Sequence, residues 1–179
     1  MPTESASAVA YRRLTRTRDS DAGIAALAER QYGVISRLQL RECGLGESAI
    51  DRRRRAGRLH LVHKGVYAVG HRLIPREGRW MAAVLASGPD AVLSHWSAAQ
   101  LWMIRPNSRT RIDVTVPHRS RSSKPIRRHV SEVPDDERTV KAGIPLTSVP
   151  RTILDLAATE DADTVENLLR EAEHRQLSD

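Results

Sequence analysis

The stretch that most constrains the fold is LQLRECGLGESAIDRRRRAGRLHLVHKGVYAVG, which orders a short helix, a glycine-broken turn, an arginine-loaded helix and a β-hairpin. Ser36 is placed to cap the first of these helices, with Leu38, Leu40 and Cys43 turning inward, and Gly44-Leu45-Gly46 makes the tight connection to the next. With Ile50 set as the inward anchor and each residue rotated by ~100°, Ser48, Arg52 and Arg55 fall on the opposite face. Asp51 then lies to one side, and Arg54 lies near Ile50, its stem on the core and its head outward. Leu59, Leu61, Val66 and Ala68 alternate with other residues across His63-Lys64-Gly65, the pattern of two half-buried strands around a tight turn. The order predicts a winged helix-turn-helix over residues 21–72, opening with a first helix in which Ile24, Leu27 and Ala28 mark one buried stripe. A helix and a hairpin presented together can place one element in a DNA groove and the other on flanking phosphates. The expected contacts are Ser48, Asp51, Arg52 and Arg55 on the helix, Arg58 at the base of the wing, and His63 and Lys64 at its tip. Tyr67 reads as a packing residue.

Charge placement supports an anionic partner for this region. The chain carries a net charge of +7 over 179 residues. Residues 1–72 hold 14 basic and 7 acidic side chains, residues 73–132 hold 10 and 4, and residues 133–179 hold 5 and 11. The acidic last third is therefore not expected to face the same polyanion. Arginine is also what a biased codon usage would supply, since only Lys64, Lys124 and Lys141 are lysines, so placement carries the argument and the total does not. Aromatic residues make up 3% of the chain and phenylalanine is absent, which leaves few planar side chains to stack on unpaired bases and favours duplex DNA.

Residues 1–20 are small, polar and arginine-bearing, and read as a disordered basic arm in which Arg12, Arg13, Arg16 and Arg18 could reach phosphates or remain merely solvated. A loop from Gly70 to Gly78, containing Pro75, is the expected boundary, and residues 73–179 read as a small α+β domain. Trp80, Val84 and Leu85 stand at helical spacing, Ser94 caps a helix with Ala98, Leu101 and Trp102 on its apolar face, and RIDVTVP alternates as a strand. Residues 126–133 and 139–146 are expected to add two more strands. Thr147 or Ser148 opens one helix, and Asp161 opens another with Val165, Leu168, Leu169 and Ala172 aligned. The fold class expected is α+β.

Little in the sequence suggests chemistry. Cys43 is the only cysteine, so neither an intrachain disulfide nor a cysteine-rich zinc site can form, and a reducing cytoplasm fits. No apolar run approaches the ~18 residues of a membrane helix, and no signal peptide is evident at the N-terminus. Asp113 lacks the second carboxylate and lysine of a nuclease strand and is expected to be structural at a strand end. His95 is expected to pack or cap, and the seven histidines lack the paired spacing of a metal site. No catalytic residue, cofactor or metal is predicted, and the chain is expected not to be an enzyme.

The run AIDRRRRAGRLHLVHKGVYAVG, followed by GRWMAAVLASGPDAVLSHWSAAQLW, RIDVTVP, GIPLTSVPRTILDLA and LLREAEHR, resembles the AbiEi family, antitoxins and predicted transcriptional regulators of type IV toxin–antitoxin systems. The resemblance implies an N-terminal winged-helix domain that binds operator DNA and represses its own operon, and a C-terminal domain that supports antitoxin activity. It also implies a nucleotidyltransferase-like toxin that the antitoxin opposes without a stable complex. An alternative is a targeting or regulatory module of a longer protein whose C-terminal Vsr-like endonuclease domain is absent from this chain. A third reading is a protein-interaction module in which the arginine helix meets an acidic protein, which competition by duplex DNA would distinguish.

Overall fold

The computed structural model describes residues 20–105, 110–118 and 123–177, and the chain divides into two compact units, 1–89 and 90–179. The basic arm expected over residues 1–20 lies outside the described residues, apart from Ser20 at the start of the first helix.

The first unit runs α1 (Ser20–Arg30), β1 (Val34–Ser36), α2 (Arg37–Glu42), α3 (Glu47–Arg55), β2 (Leu59–His63), β3 (Val66–Val69) and α4 (Arg76–Ser87). Its sheet is antiparallel in the order β1-β3-β2. Ile24 and Leu27 of α1, Leu40 of α2, Ile50 of α3 and Tyr67 of β3 share one core with Cys43 and Leu45. Ser36 caps α2 through a capping box, its Oγ accepting from Gln39 N at 3.2 Å while Gln39 Oε1 accepts from Ser36 N at 2.8 Å. That box inverts one sequence expectation. Gln39 turns inward to exchange hydrogen bonds with Gln31, and Leu38, expected inside, is 53% exposed. Leu61 differs in the same way at 59% exposed, although it shares a face of β2 with the buried Leu59; the register shifts just beyond it, between Leu61 and His63.

The division falls beyond the loop at 70–78, for a packing reason. Helix α4 lies against all three strands of the first sheet, burying Trp80, Met81, Ala82, Ala83 and Val84. Gly78 permits the approach, since a Cβ there would stand 2.8 Å from the Tyr32 carbonyl oxygen.

The second unit is built on a five-stranded mixed sheet, ordered β6-β5-β4-β8-β7. Its elements are β4 (Val92–Leu93), α5 (His95–Leu101), β5 (Ile112–Val116), β6 (Ile126–Val130), a 3₁₀ turn (Asp135–Glu137), β7 (Arg138–Lys141), β8 (Ile144–Thr147), α6 (Val149–Ala157) and α7 (Ala162–His174). The interrupted strand expected over 139–146 is thus two antiparallel strands turning at Ala142-Gly143. Helices α5, α6 and α7 close one core with Trp96, Ile153, Leu156, Leu168 and Ala172, while Leu169, expected to align with that face, is 46% exposed. Asp113 is the second residue of β5, 3% exposed, and not at a strand end. The architecture is α+β.

Candidate nucleic-acid interface

The four arginines of α3 have four different surroundings. Ile50 is fully buried, so the helix is fixed in rotation and each successive side chain must leave in its own direction. Arg53 turns back to α1, its Nη2 donating to Asp21 Oδ1 at 2.6 Å, which holds the Asp21 carboxyl below its ordinary pKa. Arg54 lies with its guanidinium 5.9 Å from the centre of the Tyr67 ring and pairs with Asp51 at 3.2 Å. That is the stem-inward, head-outward course its position near Ile50 predicts. Arg52 and Arg55 are exposed.

Ser48, Arg58 and Lys64 are also exposed, and Asp51 and His63 are half-buried. Lys64 and Gly65 turn the β2–β3 hairpin, where Gly65 takes φ 78°. Gly65 O also accepts from Arg37 N at 2.7 Å, so the hairpin tip is tied to the start of α2.

An open groove separates α3 from β2. It is lined by Asp51, Arg54, Arg55, Leu59, His60, Leu61, Val62 and Arg72. The structure therefore brings together Asp51 and Arg55 from the sequence-derived set, and the groove lining does not include Ser48, Arg52, Arg58, His63 or Lys64. Of the six lining residues that the sequence reading did not single out as contacts, three are polar, Arg54, His60 and Arg72. Arg72 Nε donates to His60 Nδ1 at 3.4 Å and His60 Nε2 lies 3.4 Å from Gly70 O, which anchors Arg72 beside the groove. Its signal in sequence was only its place two residues past the hairpin, where a basic side chain reads as linker.

Arg37 was also missed. Its guanidinium donates to the buried Tyr67 hydroxyl at 2.9 and 3.2 Å and pairs with Glu47 at 3.3 Å, joining α2, α3 and β3. Those partners, the tyrosine hydroxyl first, raise the Arg37 pKa further above neutrality. The groove presents three guanidiniums against one carboxylate, which Arg54 already engages. Chemically it suits an anionic chain, with guanidinium forks for phosphate oxygens and an exposed apolar wall at Leu61.

Among the described residues no three His, Cys, Asp or Glu side chains converge to hold a metal, and no helix is long and apolar enough to cross a membrane. No curated protein matches the chain. Residues 24–70, which run from α1 to the end of the β2–β3 hairpin, match the model of a protein family described as a transcriptional regulator, AbiEi antitoxin.

Proposed function

We propose that residues 21–72 work as a winged helix-turn-helix that binds duplex DNA, and that the protein is a transcriptional repressor of the type IV antitoxin kind. The observation that carries this reading is the guanidinium-lined groove between α3 and β2, lying within the segment that matches a transcriptional-regulator family. In this reading α3 enters the major groove with Ser48, Arg52 and Arg55 toward base edges, while Arg58, His63 and Lys64 of the wing meet phosphates. Arg54 and Arg72 add phosphate contacts from the groove wall.

The operon repressed is the protein's own, shared with a nucleotidyltransferase-like toxin that it opposes without a stable complex. The C-terminal unit carries the opposing activity and is not an enzyme. Two assays on one truncation test the division of labour. Removing residues 1–89 abolishes repression of a reporter driven by the native upstream region, and leaves protection from the co-expressed toxin at least partly intact, since the chain divides into two compact units at that point. Loss of protection by a truncated chain that keeps its circular dichroism would place that activity in the N-terminal unit instead.

A further inference from the structure

The C-terminal unit holds a polar cluster that DNA binding by the first unit does not use. Strands β5 and β6 run parallel with Asp113 opposite Arg127 and Thr115 opposite His129, so all four side chains share one face of the sheet. His129 Nε2 stands 2.9 Å from Asp113 Oδ1, within hydrogen-bond distance. The His95 ring stacks on His129 with centroids 3.6 Å apart and planes at 16°. Its Nδ1 lies 3.0 Å from Ser94 Oγ and 3.9 Å from Asp155 Oδ2. A serine–histidine–aspartate relay is excluded, because serine and aspartate approach the same ring nitrogen and Ser94 is fully buried.

Several features mark this cluster as more than packing. His95 is held at φ 49°, a left-handed conformation that is costly for a residue with a side chain. Among the described residues, the buried side-chain atoms without a hydrogen-bond partner are Thr115 Oγ1 and Asp155 Oδ2, and both belong here, one opposite His129 and the other beside His95. Burial, then the neighbouring His129, lowers the His95 pKa to about 4, so this ring is neutral near pH 7. Beside the cluster opens a cavity of about 310 Å³ lined by Thr110, Arg111, Asp113 and Arg127. Between Arg105 and Ser131 the sequence has eight Lys and Arg residues and one carboxylate, Asp113, which His129 already engages. No carboxylate among the described residues pairs with Arg111 or Arg127.

We propose that this cavity binds a phosphate monoester, gripped by Arg111 and Arg127 with the Thr110 hydroxyl. Two guanidinium forks supply directional donors to the phosphate oxygens. Asp113, which His129 engages, also lines the cavity. The charged and titratable groups facing the ring pair are Asp113 of β5, Arg127 of β6 and Asp155 of α6, and Arg151 and Glu137 pair behind Asp155.

The intact chain, isotopically labelled, is titrated with inorganic phosphate, with adenosine 5′-monophosphate and with adenosine while the histidine ring resonances are followed by NMR. Phosphate and the monophosphate shift the His129 and His95 signals saturably, and adenosine does not. Arg111→Ala and Arg127→Ala, both at exposed positions, each weaken binding about tenfold. Absence of a saturable shift at millimolar ligand, or binding by both arginine variants as tight as that of the unaltered chain with unchanged circular dichroism, overturns the proposal. So does adenosine binding as well as its monophosphate, or duplex DNA displacing inorganic phosphate, which would assign the surface to phosphodiesters.

Discussion

Arg53 Nη2 meets Asp21 Oδ1 at 2.6 Å, across 32 residues of sequence, and so one member of a four-arginine run faces the neighbouring helix instead of solvent. Its side chain is 18% exposed. Arg53→Ala should therefore lower the thermal midpoint of the N-terminal unit slightly, by loosening α1 from α3, and leave the ratio of operator to random-DNA affinity unchanged. Thermal melts and anisotropy titrations on two duplexes check both parts.

Arg55 and Lys64 are expected to separate base reading from phosphate attachment. Arg55→Ala costs about 1–3 kcal/mol on the operator and much less on random duplex, whereas Lys64→Ala weakens both alike. Equal losses on both DNAs for both variants would mean that the assignment of α3 to base edges and of the hairpin to phosphates is wrong.

Helix α4 belongs to the first unit, and fragment design should show it. A chain ending at residue 89 folds cooperatively, and one ending at 72 does not, because the sheet then loses the cover of Trp80, Met81 and Val84. Gly78→Ala destabilises the longer fragment by about 1–3 kcal/mol through its contact with the Tyr32 carbonyl. Urea unfolding of the fragments measures each effect.

His95 makes the C-terminal unit sensitive to acid. Its folded pKa of about 4 lies below the 6.5 of a free histidine, so the unfolded chain binds the proton first as pH falls. The stability concerned is fully present above pH 6.5 and is lost progressively down to pH 4, by no more than about 3 kcal/mol. In His95→Gln that part of the pH dependence disappears. Denaturant midpoints measured between pH 8 and pH 4 give the slope directly, and an unchanged slope in the variant would contradict the assignment to His95.

How much of this was legible in sequence depended on whether a local period or a tertiary partner decided the outcome. Ile24 and Leu27 were placed inside by helical spacing, Leu40 with the Ser36-capped helix and Ile50 as the assumed anchor, and all four are buried. The packing role of Tyr67 was equally readable. Strands β1 and β4, three and two residues long, leave no period to detect and exist because longer neighbours pair with them. Gln39 for Leu38 was decided by a capping box and a partner at Gln31, neither of which hydrophobic patterning registers. The same limit hid the histidine cluster. Asp113 and Thr115 alternate with apolar residues as on a wet strand face, but β5 is buried along its whole length, so the polar face became an enclosed site. Arg72 joins the α3–β2 groove only through the fold of the chain after the hairpin.

The central claim is groove binding to duplex DNA, and its most direct measurement is the salt dependence of affinity for the native upstream duplex, with a scrambled duplex beside it. The account predicts tighter binding to the native sequence and a log K that falls linearly with log salt, by ~0.9 per phosphate neutralised, with a shallower slope for Lys64→Ala. An affinity that does not change with salt, or one no greater for duplex DNA than for an acidic protein, would contradict it.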